Sequence, residues 1–290
     1  MSSSFVQIFE QLDKFPQLKL AHLPTPLTPL LNLRQAIDRG PLIWLKRDDC
    51  TGLALGGNKT RKLEFLLGDA RARETDVLIT FGALQSNHAR QTAAAAAVHG
   101  FACELILTKR VNYDGQGYDR SGNLLLDNLF GANVLIADNE SEAQDIMRQR
   151  LAEHSSEGRK VYLIPTGGSS PVGALGYVYC LAEIRQQAAE QGIRIDAIAH
   201  ATSSGGTQAG LLAGCEFASY QTPVMGINVS ASDDEQQADD IAQLAGQTLE
   251  LMDAGSHLPR ERVWINSDYR GEDYGIPTPL MQEAVEAVAQ

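Results

Sequence analysis

Residues 55–71 of the chain read LGGNKTRKLEFLLGDAR, and this is its most informative stretch. A double glycine leads into apolar residues that recur at helical spacing, which predicts a helix that buries one face. Lys59 falls in the first turn, where unpaired backbone N–H groups and the helix dipole disfavour a protonated amine and favour a nearby anion. A neutral lysine can form a Schiff base with a carbonyl group. The alternative is a surface helix whose lysines and arginines face solvent.

Strands and helices alternate after this helix. Strands are predicted at 77–81, 103–107, 133–137, 161–165, 197–201, 224–229 and 263–266. Helices are predicted at 87–99, 122–130, 140–153, 172–191, 209–218, from 233 to 244 or beyond, and from 279 to the end. This alternation indicates an α/β fold with parallel sheets, right-handed crossovers and helices on both faces. We expect two lobes with a ligand cleft between them.

The residues before the double glycine are less regular. Pro24, Pro26 and Pro29 break helix and favour an extended arm. Residues 42–45 predict a short buried strand, and the charged residues 46–49 follow at its end, where α/β proteins place ligands. A solvated turn is an equally good interpretation of these charges.

Composition limits the possible partners. The net charge of −12 argues against a nucleic-acid or anionic-membrane surface. The four cysteines contain no CxxC pair, so they indicate neither a zinc site nor a disulfide framework, and they fit a reducing compartment. The N-terminus does not read as a signal peptide, and no stretch approaches the roughly 20 apolar residues of a membrane span. We therefore expect a cytoplasmic protein.

Two loops at strand-to-helix junctions carry candidate ligand groups. In GALQSNHARQ (82–91), Ser86 or Asn87 suits a helix N-cap, but four adjacent polar side chains also suit a bound carboxylate. In HATSSGGTQAG (200–210), hydroxyls and backbone N–H groups converge at a helix start and form a candidate phosphate cradle. Neither a Walker loop nor a GxGxxG fingerprint is present. A third loop, 164–177, reads as a flexible hinge that could also line a substrate entrance.

A lysine able to form a Schiff base and a phosphate cradle together call for a small cofactor with an aldehyde and a phosphate. Pyridoxal 5′-phosphate (PLP) has both, and it supplies an electron sink that protein side chains lack. The six histidines show no metal-ligand spacing and no GxSxG elbow is present, so no metal site is predicted and serine hydrolysis is disfavoured.

Four stretches, in this order, resemble a known family: LKRDD (45–49), GGNKTRKLEF (56–65), QSNH (85–88) and SSGGTQAG (203–210). They look like the fold-type II PLP enzymes, which are similar in fold to the β-subunit of tryptophan synthase. The subgroup is that of D-cysteine desulfhydrase, L-cysteate sulfo-lyase and 1-aminocyclopropane-1-carboxylate deaminase. The likeness runs from about residue 15 to residue 276.

The resemblance assigns roles to individual residues. It implies catalytic roles for Lys59, Ser86 and Tyr274. It implies cofactor contacts for Lys59, Lys62, Asn87, Ser204, Gly205, Gly206 and Thr207, and substrate contacts for Ser86, Asn87 and His88. Lys59 matches the Schiff-base lysine, Lys62 a lysine near the phosphate, and Asn87 the asparagine that bonds the ring hydroxyl. Arg61 and Arg71 match no functional residue, and we expect them to be surface charges.

The resemblance also implies a domain division and a homodimer. Residues 1–50 and 165–290 correspond to the larger, cofactor-binding domain, and 51–164 to the smaller α/β domain. In the family, a D-P-V-Y-type segment and an H-T-G-G-type strand follow the last helix. Neither occurs before Gln290, so we expect the larger domain to lack its C-terminal part here.

The implied activity is that of a carbon–sulfur lyase acting on a small amino acid. Such an enzyme eliminates sulfide or sulfite and releases pyruvate and ammonia. His88 after Asn87 favours this branch, because the cyclopropane deaminases usually carry glutamine there. The alternatives are a 1-aminocyclopropane-1-carboxylate deaminase and a non-catalytic PLP-binding homologue.

Overall fold

The computed structural model describes residues 4–37, 40–109, 117–230, 233–271 and 275–289. The strands are β1 Leu27–Pro29, β2 Trp44–Lys46, β3 Val77–Ala83, β4 Ala102–Thr108, β5 Asn133–Ala137, β6 Val161–Ile164, β7 Ile198–Thr202, β8 Val224–Asn228 and β9 Trp264–Asn266. The α-helices are α1 Ser4–Leu12, α2 Leu31–Ala36, α3 Lys59–Ala72, α4 Asn87–His99, α5 Gly122–Leu129, α6 Glu140–Ser156, α7 Pro171–Glu190, α8 Gly206–Phe217, α9 Asp234–Leu251 and α10 Pro279–Ala289.

The strands form two parallel sheets and one antiparallel pair. One parallel sheet has the order β5-β4-β3-β6 and the other the order β7-β8-β9, while β1 pairs with β2. This confirms the predicted α/β fold with parallel sheets. Within the described residues, no helix is both long and apolar enough to cross a bilayer. The predicted domain division stays a prediction.

Helix α3 contributes to two of the three hydrophobic clusters of the described residues. Phe65 belongs to the cluster formed by α7, α8 and α9, whereas Leu63 and Leu66 belong to the cluster formed by β3, β4 and α4. Every residue from Thr60 to Gly68 is buried. The predicted helix is confirmed, but the prediction of a single buried face is wrong, because α3 separates two packed layers instead of covering one.

Arg61 corrects a prediction. It was expected to be a surface charge, but its side chain is 1% exposed and pairs with Asp48 at 2.9 Å and Glu183 at 2.9 Å. Lys46 joins the same Glu183 carboxylate at 2.7 Å, so buried cations and anions balance. Arg61 is buried because α7 approaches α3 closely: a Cβ at Gly176 would collide with the Arg61 carbonyl. Arg71 is exposed, as predicted.

The prediction of a buried strand at 42–45 is also wrong. The strand is β2, and its partner β1 belongs to the proline-rich arm. Leu42 and Leu45 are 62% and 41% exposed because this two-stranded ribbon lies at the surface. Asp48, in the charged residues after β2, pairs with Arg61 behind α3.

Candidate active site

A cavity of about 340 Å³ opens where strands of both parallel sheets end. Phe81, Gly82 and Ala83 of β3 and Ala201 and Thr202 of β7 contribute to its wall. The predicted site residues on the wall are Lys59, Ser86, Asn87, His88, Ser204, Gly205 and Thr207. This is the edge at which open α/β sheets bind ligands.

Three predicted residues are not on this wall. Lys62 and Gly206 lie directly behind it, since a Cβ at Gly206 would stand 2.8 Å from Lys62 Nζ. Tyr274 lies outside the described residues, so its catalytic role stays a prediction.

Lys59 is the first residue of α3, and its amine lies 3.2 Å from the side-chain oxygen of Asn58. Burial lowers the pKa of this amine to about 8. About a tenth of the amine is therefore neutral at pH 7, far more than for an ordinary lysine, and a neutral amine can attack a carbonyl carbon. The position of Lys59 is thus suited to covalent attachment of an aldehyde.

The loop before Lys59 depends on glycine. Gly56 and Gly57 have φ of +73° and +128°, where most other residues are strained. A Cβ at Gly56 would also collide with the carbonyl oxygen of Asp49, and one at Gly57 would lie 2.6 Å from the amide nitrogen of Gln91. The double glycine therefore lets the chain pass closely enough to bring Lys59 to the cavity.

Ser86 is the N-cap of α4. Its Oγ accepts the Ala89 N–H at 3.2 Å, so the hydroxyl hydrogen remains available to a ligand. Gly82 makes room for it, since a Cβ there would lie 2.7 Å from Ser86 Oγ. The capping interpretation and the ligand interpretation of this loop are therefore compatible, because the cap occupies only the oxygen of the hydroxyl.

His88 is 2% exposed, and its Nε2 lies 2.8 Å from Thr80 Oγ1. Thr80 donates its hydroxyl hydrogen to the Ile164 carbonyl, so His88 Nε2 carries a hydrogen and Nδ1 is the acceptor. Within the described residues, Nδ1 is buried without a hydrogen-bond partner. Burial, with the charges of Lys59 and Lys62, holds the pKa of this imidazole well below its usual value, so the ring is neutral.

The candidate phosphate cradle is the start of α8. Gly205, with φ of +78°, is the N-cap of α8, and Gly205 and Thr207 line the cavity, so unpaired N–H groups of the first turn start at its edge. Lys62 is 1% exposed, and its Nζ donates to the Gly167 carbonyl at 3.1 Å. Burial and the charge of Lys59 hold the pKa of the Lys62 amine well below its usual value. A bound phosphate would favour the charged form.

The residues therefore fit PLP. The amine of Lys59 suits the aldehyde, and the glycine cradle with Lys62 suits the phosphate. A side chain at Gly206 would fill the cradle, since its Cβ would lie 2.6 Å from Ser169 Oγ and 2.8 Å from Lys62 Nζ. A larger cavity of about 880 Å³ shares Ser203, Ser204 and Gly205 with the first, but neither Lys59 nor Ser86 contributes to it.

Asn58 and Ser169 are site residues that the sequence did not identify. Ser169 accepts the Gly206 N–H at 3.1 Å and donates to Ser204 Oγ at 2.8 Å. It therefore holds two residues of the candidate phosphate cradle in place. Thr166 and Gly167 of its loop line the cavity, and α7 begins at Pro171. That the loop acts as a hinge or borders a substrate entrance stays a prediction. Asn58 was detectable only by its place next to Lys59.

Comparison with known proteins agrees with this geometry. The family model described as "Pyridoxal-phosphate dependent enzyme" matches residues 18–290. The 1-aminocyclopropane-1-carboxylate deaminase of Burkholderia ambifaria (strain MC40-6) is 39% identical over 287 residues, which are 96% of this chain and 83% of the relative. The enzyme of the same name from Burkholderia orbicola (strain MC0-3) is 38% identical over 286 residues, again 96% and 83%.

Solved structures extend the comparison. A crystal structure described as that of an ACC deaminase homologue superposes with a TM-score of 0.80 at 37% identity, covering 93% of this chain and 79% of that one. A threonine deaminase from T.th. superposes with a TM-score of 0.59 at 20% identity, covering 81% and 67%, and it supports the fold alone. The chain therefore belongs to the fold-type II PLP-dependent enzymes, in the family of 1-aminocyclopropane-1-carboxylate deaminase.

Proposed function

We propose that the protein is a 1-aminocyclopropane-1-carboxylate deaminase, which takes up water, opens the cyclopropane ring and releases 2-oxobutyrate and ammonia. The observation that carries this proposal is the 39% identity, over 96% of the chain, with a relative of that name. This support favours the deaminase over the carbon–sulfur lyase that the sequence alone placed first. It agrees with a cavity of about 340 Å³, which suits a small amino acid beside the cofactor.

When bound, PLP withdraws electrons from the substrate's amino-bearing carbon. Lys59 would hold the cofactor through its amine. When it is not bonded to the cofactor, that amine is placed to accept or donate a proton at a substrate carbon, and in the cofactor-free protein burial lowers its pKa to about 8. Lys62 and the first turn of α8 hold the phosphate, and Asn87 faces the same cavity from α4.

Ser86 is the second group able to move a proton, because its cap leaves the hydroxyl hydrogen available. The N–H groups at the start of α4 provide a place for the substrate carboxylate. His88 contributes its backbone there, while its imidazole is held by Thr80.

One observation favours the second candidate, a D-cysteine desulfhydrase or L-cysteate sulfo-lyase. His88 occupies the position where the resembling cyclopropane deaminases usually carry glutamine, and its Nδ1 is a buried acceptor without a partner in the described residues. That acceptor could receive a hydrogen from a substrate group.

A single panel separates the candidates. The PLP-loaded protein is incubated with 1-aminocyclopropane-1-carboxylate, D-cysteine and L-cysteate, and 2-oxobutyrate or pyruvate is measured. We expect 2-oxobutyrate from the cyclopropane substrate at the highest kcat/KM. Pyruvate from either sulfur substrate at higher kcat/KM would overturn the proposal, and no product from any of them would indicate a binding homologue.

The His88→Gln variant refines this panel. A glutamine amide can still donate to Thr80 Oγ1, so the fold of the site is retained, while the ring acceptor Nδ1 is replaced by an amide oxygen in a different position. If His88 governs substrate choice, the ratio of kcat/KM for the cyclopropane to that for D-cysteine rises. An unchanged ratio would remove the argument for the second candidate.

A further inference from the structure

Asn58 directly precedes α3 but does not cap it. An N-cap asparagine has a non-helical backbone and accepts an N–H from the first turn of its own helix. Asn58 already has helical angles, with φ of −65° and ψ of −19°, and its side chain makes no capping hydrogen bond. Its oxygen instead lies 3.2 Å from Lys59 Nζ and 3.4 Å from the amide nitrogen of Asn87, both of which donate to it.

The capping task is carried out by another helix. Gln91 of α4 is fully buried, and its side-chain oxygen accepts the Thr60 N–H at 2.9 Å and the Thr60 hydroxyl at 3.0 Å. The amide nitrogen of Gln91 donates to the Asn87 carbonyl at 3.0 Å. Gln91 therefore provides the hydrogen-bond acceptor for the first turn of α3, which carries Lys59. The same side chain connects α3 to α4, which carries Asn87.

Because Gln91 supplies the cap, the Asn58 oxygen is available for another purpose. We propose that Asn58 is a positioning residue, which holds the free amine of Lys59 beside Asn87 and aims it at the cofactor aldehyde. One amide oxygen serves both donors, so the amine and the Asn87 side chain are placed relative to each other. This inference rests on the cofactor and not on the identity of the substrate.

The step that Asn58 assists is the capture of PLP by the apoprotein. The neutral amine of Lys59 adds to the aldehyde carbon, and a carbon–nitrogen double bond replaces the carbon–oxygen bond. The two amine hydrogens leave with the aldehyde oxygen as water. An amine already directed by Asn58 loses less rotational freedom in this step than an unrestrained one.

The charges around the amine allow its titration to be followed. The titratable groups that interact with Lys59 are Lys62 of α3, His88 of α4 and His200 of β7. Burial holds the pKa of each below its usual value, that of His200 at about 4. Glu140 is the carboxylate among the described lining residues. Lys59, with a pKa of about 8, is the group among these whose deprotonation supplies the attacking amine, so capture should rise with pH through that region.

The experiment measures the rate of PLP capture by apoprotein, from the visible absorbance of the adduct, between pH 6 and 10. Lys59→Ala serves to show that the band reports Lys59. We expect Asn58→Ala to fold with an unchanged urea midpoint and to capture PLP about three- to tenfold more slowly. Asn58→Asp keeps the acceptor and adds a negative charge, so the midpoint of the pH profile should move up by about one unit.

Asn139 provides a matched control. It is the N-cap of α6, and its side-chain oxygen accepts the Glu142 N–H at 3.0 Å. Asn139→Ala should therefore lower the urea midpoint without changing the capture rate, which is the reverse of the result for Asn58→Ala.

Three results would overturn the proposal. The first is that Asn58→Ala captures PLP at the wild-type rate. The second is that Asn58→Ala loses stability as Asn139→Ala does, which would make Asn58 an ordinary cap. The third is an unmoved pH midpoint in Asn58→Asp. None of these measurements contains a substrate, so they stand whether or not the deaminase proposal is correct.

Discussion

Asp127 should make the protein less stable as the pH rises. This residue of α5 is fully buried, and within the described residues neither carboxylate oxygen has a hydrogen-bond partner. Burial raises its pKa from 3.8 to about 7, an effect that the charge of Arg90 opposes. A buried carboxyl with a raised pKa binds its proton more tightly in the folded state than in the unfolded state.

The direction and size of the change in folding stability with pH follow from this difference in pKa between the folded and unfolded states. Below about pH 4 the carboxyl is protonated in both states, and above about pH 7 it is ionised in both. Between these values folding stability falls as the pH rises. At about 1.4 kcal/mol per pKa unit the difference amounts to about 4 kcal/mol, and partial solvent screening reduces it to about 2 kcal/mol. Asp127→Asn removes the ionisation and keeps the shape.

The measurement is urea denaturation of the apoprotein at pH 5 and pH 8. Because the unfolded carboxyl is already ionised at pH 5, this window covers about two pKa units, and we expect the wild type to lose about 1–3 kcal/mol more than Asp127→Asn. Asp119→Asn is the control, because the Asp119 side chain is 78% exposed and should leave the pH dependence unchanged. An equal pH dependence in wild type and Asp127→Asn would refute the reasoning, since it would mean that Arg90 compensates the buried charge completely.

Three further substitutions test other parts of the molecule. Lys62→Met should weaken PLP binding about 10- to 100-fold in a fluorescence titration, because the phosphate loses a buried charged donor; an unchanged affinity would exclude Lys62 from the cradle. Arg61→Met should lower the free energy of unfolding by about 3–5 kcal/mol, because Asp48 loses its cation and Glu183 keeps only Lys46, whereas the exposed Arg71→Met should change it by less than about 1 kcal/mol. Ser86→Ala should reduce kcat about 10²- to 10⁴-fold while the visible PLP band persists, and retention of full activity would remove Ser86 from the proton path.

Local signals were sufficient to predict the regular elements from α3 onward, whereas α1, α2 and β1 were not predicted. Helix α4 spans Asn87–His99 as predicted, because Ser86 caps its start and Gly100, in the left-handed region, ends it. The loops of the site were recognisable as turns from their glycine and hydroxyl residues, but the same residues also serve as ordinary turns and caps, so only their combination with Lys59 indicated a ligand.

Tertiary contacts decided what the sequence could not. The burial of Arg61 depends on Asp48 and Glu183, which are distant in sequence, so a helical pattern alone assigned it to the surface. Asn58 looked like an ordinary residue before a helix, because its release from capping depends on Gln91 from another helix. Hydrogen bonds and ion pairs between residues that are distant in sequence leave no periodic pattern in a single sequence.

The burial of helix α3 on all sides has a consequence for how the protein tolerates change. In a surface helix, substitutions are accepted wherever a side chain faces solvent, so tolerance rises and falls every three or four residues. From Thr60 to Gly68 every residue is buried, so tolerance to substitution should not vary periodically along this segment. A library of single substitutions from Thr60 to Gly68 would show one continuous intolerant block, whereas the exposed end of the helix at Arg71 would tolerate change.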